Sequence, residues 1–170
     1  MRLLPHSDAP PAPSRAILVD VDIGQRPSRI AFAVEGTTLQ LPRPAAPVRT
    51  ESLWQRTCFE LFVHPEGSAA YFEFNFSPST AWAAYCFDDY REGMADLPLP
   101  PPRIEPMGQG VRVAIDLSGL PALPWRIGLS AVIEEPDGTK SYWALAHPSG
   151  RPDFHHRDCF ALRLPAPPRP

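Results

Sequence analysis

From Ala16 to Ile23 apolar side chains occupy alternate positions: Ile17, Val19, Val21 and Ile23 share one face, and Asp20 and Asp22 take the other. Period two over that length predicts a half-buried strand. Ile30, Phe32 and Val34 repeat the pattern, and Glu35-Gly36 turns the chain into Thr37–Leu41. Thr57–Val63, Ala70–Phe76 and Ala81–Phe87 read as three further strands. Val111–Leu117, Trp125–Glu134, Thr139–Ala146 and Asp158–Leu164 follow. Pro136-Asp137-Gly138 lies between two of these runs and is a turn with a mechanism: proline presets φ and glycine accepts φ > 0. The pattern predicts about ten strands and one helical turn near Ser118–Leu123. Many short strands separated by turn signals indicate an all-β fold, an antiparallel two-sheet β-sandwich. No repeat of the propeller or solenoid type runs along the chain.

Thr57–Val63 and Ala70–Phe76 are joined by His64-Pro65-Glu66-Gly67-Ser68-Ala69 and form a hairpin. Pairing Val63 with Ala70 sets Leu61 against Phe72 and Phe59 against Phe74, an apolar face. The opposite face then pairs Phe62 with Tyr71, Glu60 with Glu73 and Cys58 with Asn75. A slip of two residues keeps the faces and moves Glu60 opposite Tyr71 or Asn75. Directly opposed carboxylates destabilise a sheet, and one of them titrates upward unless a cation or donor intervenes. The second face therefore mixes acids, an amide and aromatic rings.

Composition sharpens the fold more than the function. Proline accounts for 24 of 170 residues, where a globular chain has roughly 5%. The prolines cluster at Pro5–Pro13, Pro42–Pro47, Pro98–Pro106 and Pro165–Pro170. Proline donates to neither helix nor sheet ladders, so these clusters read as boundaries and leave little room for long helices. The length suits one domain over 1–170, with proline-rich termini at about 1–14 and 165–170. With 44% hydrophobic and 21% charged residues the chain can build a core. A net charge of -3 argues against a nucleic-acid protein that works by bulk charge. No apolar run is long enough to span a membrane as a helix, and the first residues lack the pattern of a secretory signal. Cys58, Cys86 and Cys159 form no C-x-x-C pair and fall within runs read as strands, the setting of buried free thiols. A reduced, cytoplasmic protein is the expectation.

Three groups of residues could carry chemistry. Glu60 and Glu73 could form a glycosidase pair, a solvated face bridged by Arg56 or Arg91, or a surface whose carboxylates accept hydrogen bonds from sugar hydroxyls. Trp54 precedes its strand in a polar setting beside Gln55 and Arg56, where a rigid ring makes a binding platform. Trp82, Trp125 and Trp143 suit a core better. The polar loop from His147 to Asp158 holds His147, His155 and His156 beside Asp153 and Asp158. Ligands drawn from one irregular loop do not have the fixed spacing of a zinc or iron site, so a ligand-contacting loop is expected and no metal. No G-x-S-x-G elbow and no Gly-rich phosphate loop occurs.

The run Leu53-Trp54-Gln55-Arg56-Thr57-Cys58-Phe59-Glu60-Leu61-Phe62-Val63 resembles a bacterial group of DOMON-like proteins, in the superfamily of the family 9 carbohydrate-binding modules. Tyr71–Pro78, Ser141–Pro148 and Pro152–Phe160 strengthen the likeness, which extends from about Ser14 to Leu164. The resemblance implies a sandwich that binds sugar or haem and catalyses nothing. In the family 9 modules a tryptophan before a strand and an acid six residues on contact the sugar. Trp54 and Glu60 stand at that spacing, and Asn75 on the neighbouring strand is the candidate third contact. A second tryptophan of those modules is replaced here by Phe154-His155-His156. Haem-binding relatives use methionine and histidine ligands, for which Met94 and His155 are the candidates. The reading is a non-catalytic binding module for a saccharide or glycan fragment, with contacts from Trp54, Glu60, Glu73 and Asn75. Tyr85, Trp143, His147, His155 and His156 rank second. The alternatives are a haem-binding domain, a protein-interaction sandwich, and a hydrolase using Glu60 and Glu73.

Overall fold

The computed structural model describes residues 1–13, 15–23, 26–36, 38–39 and 41–166. Among them are twelve strands: β1 Leu4–Pro5, β2 Ala16–Asp22, β3 Ser28–Glu35, β4 Cys58–Pro65, β5 Tyr71–Phe76, β6 Trp82–Phe87, β7 Ala95–Asp96, β8 Arg103–Met107, β9 Gly110–Ile115, β10 Trp125–Glu134, β11 Lys140–Ala144 and β12 Leu162–Leu164. They form two antiparallel sheets, as the alternation predicts. The smaller runs β2-β3-β9-β8. The larger runs β1-β11-β10-β4-β5-β6-β7, and β12 also pairs with β10 at its Trp125 end.

The core lies between the sheets. Ile17, Val19, Ile30, Phe32, Val111 and Val113 from the small sheet meet Phe59, Leu61, Val63, Phe74, Leu129, Ala131 and Trp143 from the large one. A bidentate ion pair ties the sheets at one corner. Arg15, just before β2, donates from Nη2 and Nε to Glu135, just after β10, at 2.6 and 3.2 Å, and both side chains are buried.

Prolines sit where the ladder does not need their missing donor: Pro5 and Pro106 in the edge strands β1 and β8, and Pro65 at the end of β4. The first residues are more than a boundary. Leu3 is buried, Arg2 bridges to Leu18 of the small sheet, and Leu4 and Pro5 pair with Ala144 and Trp143 of the large one.

Several expected elements differ. Ser118–Leu123 forms turns rather than a helical turn, because the Asp116 carboxylate accepts from the Ser118 N–H at 2.9 Å and Pro121 and Pro124 allow no continuation. Single 3-10 turns occur instead at Leu53–Gln55 and Arg157–Cys159. Only Leu162–Leu164 of the expected last strand is extended, and Cys159 lies in the second 3-10 turn. The His156 ring caps that turn by accepting the Asp158 N–H. Residues 38, 39 and 41 are not strand, and Thr37 and Gln40 of that expected element lie outside the described residues, as do Ser14 and residues 167–170.

The large sheet has a second covered face, and this face positions the site. Every residue of β4 is buried, on both faces. Phe62, Tyr71, Phe87, Cys159 and Phe160 form a second apolar cluster outside the sandwich core, with Phe154 packed on it. Phe160 reaches the sheet over Gly128, where a Cβ would meet its ring carbons at 2.7 Å. The two 3-10 turns and the loops at 88–94 and 151–156 surround what remains of this face.

Candidate functional site

Strand register lays the outer face out in rows. Ser130, Glu60, Asn75 and Ala83 stand side by side across β10, β4, β5 and β6, and the adjacent row is Gly128, Phe62, Glu73 and Tyr85. Val132 and Tyr142 flank these rows on one side, and Tyr71 and Phe87 on the other. Two polar rows are thus set between aromatic ones. The hairpin register is the two-residue slip: Glu60 faces Asn75, Glu73 faces Phe62, and the direct Glu60–Glu73 pairing is not formed. The loop favours this slip. A turn with Gly67 at φ 80°, closed by Ser68 N–H to the Pro65 carbonyl, carries β4 on to Pro65. The slip also leaves the two acids diagonal, with an amide directly across from Glu60.

Ser130 donates its hydroxyl to Glu60 Oε2 at 2.9 Å, and Asn75 Nδ2 donates to Glu73 Oε1 at 2.7 Å. Glu60 is 3% and Glu73 6% exposed. Burial, and then the charge of Glu73, pushes the Glu60 carboxyl up to about 8. Burial pushes Glu73 up to about 7 against the pull of the Asn75 bond and the Arg91 charge. The pair therefore holds protons near neutral pH and titrates as a unit. Neither bridging arginine that the sequence suggests is in place: Arg56 pairs with Glu134 at 3.0 Å and Arg91 with Asp153 at 2.8 Å.

A hydrogen-bond chain runs from Glu73 into the covering loops. Arg91, with φ 56° in the turn after β6, donates its backbone N–H to the Tyr71 hydroxyl at 3.2 Å. The hydroxyl lies 2.8 Å from His155 Nδ1. With Tyr71 donating to Nδ1, the imidazole proton sits on Nε2, 3.8 Å from Glu73 Oε2. Burial and the Arg91 charge push His155 down to about 4, so the ring is neutral. Burial first, and Glu73 in part, pushes the Tyr71 hydroxyl up to about 12. Asp153 fastens the loops, accepting from Arg91 Nη2, the Tyr90 hydroxyl and the His155 N–H. Burial alone would raise its carboxyl, but the bonds from Tyr90 and Arg91 hold it below the usual range.

These elements enclose a cavity of about 670 Å³. Of the residues singled out in the sequence, Trp54, Glu60, Glu73, Tyr85 and His155 line it, and Met94 joins them at the edge. Trp54 is 55% exposed and stands at the rim. Asn75 lies beneath and holds Glu73. Three candidates are elsewhere. Trp143 is 1% exposed in the sandwich core on the opposite face of the sheet, with Nε1 donating to Ser141 Oγ at 2.9 Å. His147 has Nε2 2.8 Å from the Leu4 carbonyl and packs on His6. His156 caps its turn in a neighbouring polar groove.

The sequence reading missed Phe87, Val132 and Tyr142 as cavity walls, along with Arg151 at its edge. Phe87 and Tyr142 share the outward parity of Tyr85 and Ala144, which is the signal that identifies them. Phe154 lines the same cavity as Trp54.

Among the described residues no three or more His, Cys, Asp or Glu side chains are grouped to hold a metal. Haem fits poorly. Tyr71 engages Nδ1 of His155, and the Glu73 carboxyl 3.8 Å from Nε2 takes the space a porphyrin plane would need there. Met94, the other candidate ligand, is 63% exposed.

No protein-family model and no curated protein matches the chain. Its fold is similar to the crystal structure of a "putative carbohydrate-binding protein" from Bacteroides uniformis ATCC 8492, over 92% of this chain and 83% of that one, with a TM-score of 0.66 and 14% identity. At that identity the likeness is one of fold.

Proposed function

We propose that the protein is a non-catalytic saccharide-binding module of the DOMON-like type and that the outer-face cavity is its binding site. The observation that carries this reading is the pairing, in one cavity, of an exposed tryptophan at the rim with buried carboxyls, a tyrosine and a histidine at the floor. A sugar ring has an apolar C–H face and a periphery of hydroxyls, so it needs an aromatic surface and polar partners together. Trp54 supplies the first. Glu60, Glu73, Tyr85 and His155 supply the second, oriented by Ser130, Asn75 and Tyr71. The fold likeness to a protein described in carbohydrate-binding terms supports the same class.

Hydrolysis is a weaker reading of the same acids. A glycosidase sets its two carboxyls on either side of the scissile bond, whereas Glu60 and Glu73 rise from one sheet face as diagonal neighbours and meet a ligand from the same side.

A thermal-shift and calorimetric screen with mono- and disaccharides, uronic acids, peptidoglycan fragments and haemin tests the reading. A sugar at 100 times its Kd is expected to stabilise the protein by about 2.7 kcal/mol. Trp54→Ala is expected to weaken that binding about tenfold or more, with stability changed by no more than about 0.5 kcal/mol because the ring is largely exposed. Unchanged affinity in Trp54→Ala would remove the platform from the proposal, and a haemin response without any sugar response would replace the ligand class.

A further inference from the structure

The floor of the cavity is acidic and no fixed cation is paired with it. Among the described residues neither Glu60 nor Glu73 forms an ion pair with lysine or arginine, since Arg56 and Arg91 are engaged by Glu134 and Asp153. Around the two carboxyls stand Cys58 from β4, Asn75 from β5, Tyr85 from β6, Ser130 from β10, and His155 and Arg91 from the covering loops. The first four are uncharged, since burial pushes the Cys58 thiol and the Tyr85 hydroxyl up. His155 is neutral, and Arg91 is held by Asp153.

Each carboxyl uses one oxygen inside the protein, Glu60 Oε2 toward Ser130 and Glu73 Oε1 toward Asn75. Glu60 Oε1 and Glu73 Oε2 have no hydrogen bond from the described residues. Both side chains are more than nine-tenths buried, yet both line the cavity. The walls above them are the rings of Trp54, Tyr85, Phe87, Tyr142 and Phe154. Aromatic faces attract cations, most strongly where water is excluded.

We propose that the ligand of this cavity is a saccharide bearing a free amine, with its ammonium group against Glu60 and Glu73 and its ring on Trp54. The inference rests on the saccharide reading and narrows it. Without a bound cation the acids relieve their repulsion by keeping protons. An ammonium group replaces that proton: the carboxyl O–H breaks, the proton passes to bulk water, and the carboxylate faces R–NH3⁺ with no covalent bond to the ligand. Binding of an amino sugar therefore releases protons. An N-acetylated sugar has no charge to exchange and releases none.

Isothermal titration calorimetry of the full chain tests this with glucosamine, galactosamine and the glucosamine disaccharide, each beside its N-acetyl counterpart. Runs at pH 6.5 in phosphate and in ACES, a sulfonated buffer with a larger heat of ionisation, give the number of protons released from the dependence of the heat on buffer. The amino sugars are expected to bind at least about tenfold more tightly than their N-acetyl partners, with release approaching about one proton per site. Glu60→Gln and Glu73→Gln, which keep size and remove charge, are expected to bring each pair to within about twofold. In the unsubstituted protein the affinity for glucosamine is expected to rise between pH 5.5 and 7.5, a readout that needs no variant to fold.

N-acetyl sugars that bind equally well without proton release would overturn the amine and leave the saccharide site standing. Choline or ethanolamine binding as tightly as glucosamine would overturn the sugar and leave a cation pocket. No heat from any of these ligands would overturn both.

Discussion

At the scale of single residues, the cavity sets two opposite pH dependences into one site. Glu60 and Glu73 have folded pKa values raised to about 8 and about 7 from an ordinary 4.5. Their contribution to stability is complete below the ordinary value and is lost as pH climbs through 7 and 8, where the fold must hold buried charge. His155 runs the other way. Its folded pKa is lowered to about 4 from 6.5, so its contribution is complete above 6.5 and is lost as pH falls toward 4. Above pH 4.5 the two acids outweigh the single imidazole, so these three groups together are expected to place the stability maximum in the absence of ligand near about pH 4, with a decline toward pH 8. Glu60→Gln removes the larger carboxylate effect and flattens the alkaline limb. By urea denaturation at pH 8.5 the variant is expected to exceed the parent by on the order of 2 kcal/mol, an advantage that vanishes at about pH 4. An unchanged difference between the two pH values would show that Glu60 is ionised in the fold. His155 owes its neutral state to burial and the Arg91 charge, against the pull of Asp153, and its tautomer to Tyr71; these residues are scattered over the sequence.

At the scale of elements, the cavity exists because the C-terminal segment lies down on the outer sheet face. Gly128 opens the place for it. Its missing side chain leaves room for Phe160, which stacks on Phe62 with ring centres 5.6 Å apart. Gly128→Ala puts a methyl group 2.7 Å from the Phe160 ring, and overpacking of this kind costs roughly 1–3 kcal/mol. The substitution is expected to loosen residues 153–160 and weaken ligand binding while the sandwich stays folded. Hydrogen exchange faster at 153–160 than in β2 and β3 would show it, and uniform destabilisation would count against it. The strands themselves were legible, because alternation at Ala16–Ile23, Thr57–Val63 and Trp125–Glu134 reports burial directly. Pairing was not: a slip of two preserves every face, so periodicity could not choose between Glu73 and Asn75 as the neighbour of Glu60. Strands as short as β1 and β7, or containing a proline as β8 does, leave no periodic trace. Trp143 shows the limit from the other side. Its residue type suits a sugar platform, and only its parity on β11 sends it to the core.

At the scale of the whole molecule, the two sheets share a core but are also tied by polar and backbone links. Glu135→Ala leaves the buried Arg15 without its bidentate partner and is expected to destabilise the protein by about 3 kcal/mol, measured by chemical denaturation. A change below about 0.5 kcal/mol would mean that other partners of Arg15 carry the load. The sandwich as a class was readable from strand spacing and proline clusters, but the cavity was not. Its floor comes from β4 to β6, its walls from β11 and from residues near 52, 90 and 154, and nothing local says that these segments meet. The central place of β10 bears on how the chain comes together in time. Glu60 stands beside Ser130 in the finished sheet, so β4, β5 and β6 are synthesised long before the strand that flanks them. Until β10 arrives, the hairpins carry apolar side chains on both surfaces and an open ladder along β4. Such pairing across long loops is slow, on the order of milliseconds to seconds in comparable folds, and the interval is the stage at which the nascent chain is most exposed to self-association.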